Sequence, residues 1–132
     1  MTEAEFIGSI FVEGKDDRPV EIAETRTYQK DADSLFTDEE RSAVQMFIAL
    51  NPEAGDLVQG TGGVRKLRWG RQNKGKSGGA RVIYFYHDYS MPIFLIALYS
   101  KTEKITLSQS EKAALRAFVR ELVEEYRTRE AG

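Results

Sequence analysis

The chain has no cysteine and a single histidine among its 132 residues, and each scarcity removes a class of chemistry. Without thiols there is neither a disulfide nor a thiolate metal site. With one imidazole, His87, two histidines cannot divide proton donation and acceptance between them. No apolar run approaches the roughly 20 residues of a membrane-spanning helix, and the opening MTEAEFIGSIFVEGKDD has no basic start and no cleavage site. A soluble, cytoplasmic protein is expected. The length fits one domain, since domains commonly run about 100–150 residues, so a core can form without staples.

The last absence is local. Between Gly60 and Tyr86 there is no carboxylate, yet seven basic residues occur there: Arg65, Lys66, Arg68, Arg71, Lys74, Lys76 and Arg81. The whole chain has a formal net charge of -2, so the remainder is distinctly acidic. Like charges packed together are unfavourable unless a polyanion or solvent screens them. A phosphodiester backbone is the simplest partner for such an array, and the segment reads as a nucleic-acid site. The pI near 5.5 argues against a wholesale basic binder but not against a local one, because salt confines surface fields to roughly 8–10 Å.

Residues 1–19 read as an extension. Ile7, Ile10, Phe11 and Val12 could add a short strand, and Gly14 to Pro19 reads as a turn or linker. Val20 to Glu24 alternates as a strand does, and Tyr28 to Phe36 is expected to form a short helix. Thr37-Asp38-Glu39-Glu40 is a capping box; Val44, Phe47, Ile48 and Leu50 follow it, and Asn51-Pro52 stops that helix. Strands are expected over Val64–Trp69, Ala80–His87 and Ile93–Tyr99. Ser108-Gln109-Ser110-Glu111 is a second capping box, and its helix has Leu115, Phe118, Val119, Leu122, Val123 and Tyr126 on one face. The order of strand, two helices, three strands and helix suggests an α+β fold, a small antiparallel sheet with helices packed on it.

Gly70-Arg71-Gln72-Asn73-Lys74-Gly75-Lys76-Ser77 matches the pattern of a nucleotide phosphate loop. That loop works only where a helix begins just after the Lys-Ser, so that amides and helix dipole face the phosphates. Here Gly78-Gly79 and then Arg81-Val82-Ile83-Tyr84 follow, which is strand chemistry. A glycine-rich hairpin is the better reading.

In sequence order, Asn51-Pro52, Gly55-Asp56, Gly60-Thr61-Gly62-Gly63-Val64-Arg65-Lys66-Leu67-Arg68, Gly75-Lys76-Ser77-Gly78-Gly79-Ala80-Arg81-Val82-Ile83-Tyr84 and Tyr99-Ser100-Lys101 closely resemble the HigB-like branch of the RelE toxin superfamily. The resemblance covers roughly residues 20–126, with residues 20–128 expected to be the toxin domain. It implies a RelE-like sheet with two helices before it and one after. It also implies the toxin half of a type II toxin–antitoxin pair, which cleaves messenger RNA on the ribosome. The partner would be a small antitoxin, in this branch commonly a helix-turn-helix protein. The chain departs from the family's habit in being mildly acidic and in carrying residues 1–19.

Cleaving RNA without a metal requires a proton acceptor for the 2′-hydroxyl, positive charge for the phosphorane oxygens and a proton donor for the leaving 5′-oxygen. With no acid in the basic stretch and one histidine, lysine and arginine remain, and no cofactor or metal is expected. Alternation puts Val64, Lys66 and Arg68 on one face of their strand, with Arg65, Leu67 and Trp69 on the other. If Leu67 and Trp69 mark the core, Lys66 and Arg68 face the RNA, and Arg65 sits at the mouth. On the next strand Arg81, Ile83 and Phe85 share a face. The resemblance favours Arg81, the arginine of its R-[VI]-I-Y motif. Arg68 and Arg81 are expected as phosphate clamps, being planar and always charged. A lysine among other cations can carry a proton because its neighbours disfavour the charged form, and Lys66 or Lys76 takes that part. Arg65, Arg71, Lys74 and Lys101 would contact RNA. Tyr99, at a strand end, fits packing and substrate contact equally.

Plainer roles suit other residues. His87 beside Asp88 fits a turn, Trp69 and Tyr84–Tyr86 fit packing, and the acidic helix faces fit solvated surface. Two further functions are weighed against the nuclease: a toxin of the gyrase-inhibiting sister branch, and an inactive relative that serves as a binding module.

Overall fold

A computed structural model describes residues 6–14, 18–71, 75–100 and 106–131. Strand β1 (Phe6–Glu13) turns back into β2 (Pro19–Thr25); helices α1 (Arg26–Leu35) and α2 (Asp38–Leu50) follow. Then come β3 (Asp56–Leu57), β4 (Val64–Arg71), β5 (Gly75–Phe85), β6 (Ile93–Ser100) and α3 (Gln109–Ala131). The six strands form one sheet in the order β1-β2-β6-β5-β4-β3. Neighbours are antiparallel except β2 and β6, which run parallel from Ile22↔Ile93 to Glu24↔Leu95. The expected α+β architecture is therefore present, with one parallel pairing inside a mostly antiparallel sheet. The parallel step follows from connectivity, since the chain leaves β2 through two helices and a hairpin before it returns beside it.

Local chemistry sets the helix ends. Thr37 accepts from the Glu40 amide at 3.1 Å while the Glu40 carboxylate accepts from the Thr37 amide at 2.9 Å, and Ser108 with Glu111 repeats the arrangement at 3.1 and 2.8 Å. Each box satisfies two amides that a helix start would leave orphaned. Helix α1 begins two residues earlier than its apolar spacing suggests, because Thr25 caps it by accepting from the Tyr28 amide at 3.1 Å. Phe36, expected inside that helix, is its C-cap.

The sheet separates two cores. On one side α1 and α2 cover Ile22, Leu67, Val82, Tyr84, Ile93, Leu95 and Leu98, contributing Tyr28, Ala32, Val44 and Ile48. On the other, Val119 and Leu122 of α3 pack on Val64, Ile83, Phe85, Phe94 and Tyr99. The helix that would make Gly70–Ser77 a nucleotide loop does not form: β5 begins at Gly75 and runs as strand to Phe85. Residues 6–13, where the sequence allowed a short strand, form an edge strand paired with β2 from Phe6↔Thr25 to Glu13↔Pro19.

Candidate active face

Alternation along β4 sends Arg65, Leu67 and Trp69 toward α1 and α2 and leaves Val64, Lys66 and Arg68 on the side of α3. The partners agree with this. Leu67 lies opposite Val82 of the α1–α2 core, and Lys66 lies opposite Ile83 of the α3 core. Burial then falls along the strand, Val64 being fully buried, Lys66 half-buried and Arg68 exposed. Helix α3 covers the Val64 end, where Val119 joins Val64 in one apolar cluster and Arg116 donates to the Gly60 carbonyl at 3.2 Å. The Arg68 end stays open.

The cross-strand pairs define a row on this face. Arg68 stands directly opposite Arg81, and Arg81 directly opposite Tyr99. Directly opposed side chains lie about 4.5–5.5 Å apart at Cβ, and like charges so placed destabilise a sheet. Among the described residues neither Lys66, Arg68 nor Arg81 has an ion-pair partner. Among the described residues the side chain of Arg81 bonds only to its neighbour's carbonyl, Ala80, at 3.2 Å. Beside the row, a hollow of about 430 Å3 opens between Thr27 and Asp31 of α1, Ile83 and Tyr99 of the sheet, and Leu107 and Glu111 at the start of α3.

Other candidates lie elsewhere. Arg65 is on the opposite face, where its guanidinium donates to the carbonyls of Gly55 at 2.8 Å and Glu53 at 3.0 Å. Tyr84, opposite Arg65, donates to the Pro52 carbonyl at 2.8 Å and accepts from the Gly55 amide at 2.9 Å. A Cβ on Gly55 would come within 2.9 Å of the Tyr84 ring, so only glycine fits. Asn51-Pro52 through Gly55-Asp56 is thus tied to β4 and β5 by Arg65 and Tyr84, a link that sequence spacing gave no means of seeing. Thr61 staples the next loop, donating to the Val58 carbonyl at 2.7 Å and accepting from the Val64 amide at 3.1 Å. Its neighbours Gly60, Gly62 and Gly63 have φ of 82, 80 and 121°, which residues with a Cβ adopt only with strain. The side chains of Arg71 and Lys76, and Lys74 and Lys101 entirely, lie outside the described residues.

Trp69 packs edge-on against Phe47 with ring centroids 5.7 Å apart, and Tyr84 is buried. His87 is in an exposed turn, its Nε2 3.5 Å from the Asp88 carboxylate. The Ser90 hydroxyl and amide hold that carboxyl below the usual carboxylate range. Among the described residues no group of three His, Asp or Glu side chains is gathered closely enough to hold a metal ion, and no helix is long and apolar enough to cross a membrane.

A small mixed sheet with two helices on one face and one on the other, with Lys66, Arg68 and Arg81 on the face beside the single helix, defines a class of compact α+β proteins. A family model described as the RelE toxin of RelE / RelB toxin-antitoxin systems matches residues 21–129. The chain belongs to that family. It is therefore a toxin of a toxin–antitoxin system, with a cognate antitoxin as its partner. The match begins at Glu21, so all of β1 lies ahead of it.

Proposed function

We propose that the protein is a metal-independent endoribonuclease that cuts messenger RNA on the ribosome and so halts translation. The observation that carries this reading is the cation row: Lys66, Arg68 and Arg81 share one face without a counter-ion among the described residues, two of them directly opposed. Such an arrangement relaxes when a phosphodiester supplies the missing charge. In the reaction, the 2′-oxygen bonds to the adjacent phosphorus and the bond from phosphorus to the 5′-oxygen breaks, leaving a 2′,3′-cyclic phosphate and a free 5′-hydroxyl. Arg68 and Arg81 clamp the non-bridging oxygens as negative charge builds on them. Lys66, a residue pair away from Arg68 and about 6.5–7 Å along the strand, moves the proton in this reading, with Lys76 as the second candidate. Arg71, Lys74 and Lys101 are proposed as further RNA contacts on the strength of their charge and motif position in the sequence, and Arg65 contributes by holding the loop below the face.

The motif order from Asn51-Pro52 to Tyr99-Ser100-Lys101 supports the HigB-like branch, and with it a helix-turn-helix antitoxin. An acidic antitoxin segment laid over the cation row would neutralise it by charge and by bulk. Mapping transcript ends during induced expression tests the reading. Wild type should produce new 5′-hydroxyl ends within coding regions. Arg81→Ala and Lys66→Ala should lower their yield at least about tenfold, the equivalent of about 1.4 kcal/mol in barrier, without changing the melting temperature. Growth arrest with intact transcripts would overturn the proposal, and a DNA-damage response in its place would assign the chain to the gyrase-inhibiting branch.

A further inference from the structure

Tyr99 reaches the cation row because β6 contains one residue more than its partner. Ile93 and Leu95 face the α1–α2 core, while Phe94 and Ile96 face α3. Alternation then breaks. Ala97 repeats the side of Ile96, Leu98 returns to the α1–α2 core, and Tyr99 comes round to the side of Arg81. The register shows the same event, with Tyr84 opposite Leu95 and Ile83 opposite Ala97, so Ile96 has no partner on β5. In an unbroken strand Tyr99 would share the side of Ile93, beneath the helices and away from Arg81. Bulges of this kind re-aim side chains and are over-represented beside active sites.

The other edge of β6 shows what holds the extra residue. Its ladder with β2 ends at Glu24↔Leu95, and from there two side chains replace the strand. The Thr25 hydroxyl, 1% exposed, donates to the Ile96 carbonyl at 2.6 Å. The Asp31 carboxylate accepts from the Leu98 amide at 3.2 Å. One bond grips the bulge itself and the other the first residue of reversed parity. Asp31 also lines the hollow that Tyr99 walls on its sheet side.

We propose that Thr25 and Asp31 are positioning residues for the cleavage site: they fix the β6 bulge, and the bulge sets Tyr99 beside Arg81. This role rests on the reading of Lys66, Arg68 and Arg81 as the RNA-cleaving face. Neither residue is assigned contact with RNA. Each acts through the strand, so what matters is a hydrogen bond and not a charge.

The test uses the purified full chain with tyrosines replaced by 3-fluorotyrosine, the Tyr99 fluorine resonance being assigned by Tyr99→Phe. Cleavage of a ribosome-bound message is followed in parallel as kcat and KM. Thr25→Val and Asp31→Ala should each move the Tyr99 resonance and lower kcat about tenfold or more, with KM within about twofold. Thr25→Ser and Asp31→Asn, which keep a donor and an acceptor, should restore both readings. Should one of the two disruptive variants fail to fold, the other decides. A Tyr99 resonance unmoved in the folded disruptive variants would overturn the proposal. So would Asp31→Asn failing as badly as Asp31→Ala, which would give the carboxylate charge a direct part. A wild-type chain that leaves RNA whole defeats the nuclease reading and the positioning role with it. Lost cleavage with an unmoved resonance defeats the positioning role alone.

Discussion

Two buried tyrosines use their hydroxyls in opposite ways. The Tyr84 hydroxyl bonds both to the Pro52 carbonyl and to the Gly55 amide, whereas the Tyr28 hydroxyl is buried and has no partner among the described residues. Burial pushes both phenols above their ordinary range; Glu24 adds to this at Tyr28, and the Gly55 amide offsets part of it at Tyr84. The folded state thus keeps a proton that the unfolded chain begins to release near about pH 10. That contribution to stability is complete below about pH 10 and is lost as the pH rises beyond it. Tyr28→Phe removes an unpaired buried hydroxyl, so stability should stay level or rise by up to about 1 kcal/mol, with a shallower alkaline loss. Tyr84→Phe strips the Gly55 amide and the Pro52 carbonyl of their partner and should destabilise by about 2 kcal/mol. Urea unfolding at neutral and alkaline pH reads both. Equal destabilisation by the two changes would contradict these roles.

At the scale of elements, α1 and α2 are joined to β2 through one carboxylate. Glu24 is buried at the end of β2 and accepts from Arg41 at 2.8 and 3.3 Å, from Gln45 at 3.0 Å and from Gln29 at 3.3 Å. Arg41 also reaches Asp33 at 2.9 Å, and its bond to Glu24, more than any other cause, holds the guanidinium in its charged form. Arg41→Met would leave a buried carboxylate served, among the described residues, by two amides and should destabilise by about 3 kcal/mol. Glu24→Gln with Arg41→Met should recover part of that loss, since the unpaired charge is gone. A double-mutant cycle in urea measures the difference, and strictly additive losses would show that the pair is not coupled.

Elements such as these were legible where their signals are local. The capping boxes at Thr37 and Ser108 mark their helices because a side chain bonds an amide three residues away. Alternation along β4 gave the facing of Lys66 and Arg68, since Leu67 and Trp69 supply the contrast that alternation needs. The β6 bulge was hidden for the opposite reason. IFLIALYS is buried on both faces except at half-buried Ala97, so no polar residue marks a change of side. Arg65 and Tyr84 meet a loop 10 to 32 residues away in sequence, and Thr25 and Asp31 meet β6 across about 70. Such contacts carry no sequence period.

At the scale of the whole molecule, charge has to be weighed by place and not by sum. The chain holds 21 acidic and 19 basic residues, yet Lys66, Arg68 and Arg81 stand together without a carboxylate partner among the described residues. With fields confined to roughly 8–10 Å at physiological salt, RNA bound as proposed would meet the local cations and, of the acidic remainder, chiefly Asp31 and Glu111 in the adjoining hollow. The row of Lys66, Arg68 and Arg81 alone would neutralise few phosphates, so its share of the salt dependence should be shallow for a nucleic-acid protein. If the described face engages about three phosphates, log K should fall with log salt at a slope of about -2, each single-strand contact giving about -0.7. Arg81→Ala should reduce that slope by about 0.7, whereas Arg65→Ala, on the opposite face, should leave it unchanged. Anisotropy titrations of a labelled single-stranded RNA across a salt series measure all three. A slope of about -5 that Arg81→Ala does not alter would place the binding surface elsewhere. An unchanged slope with weaker binding for Arg65→Ala would fit its bonds to Gly55 and Glu53, because losing a support loosens the face without removing a phosphate contact.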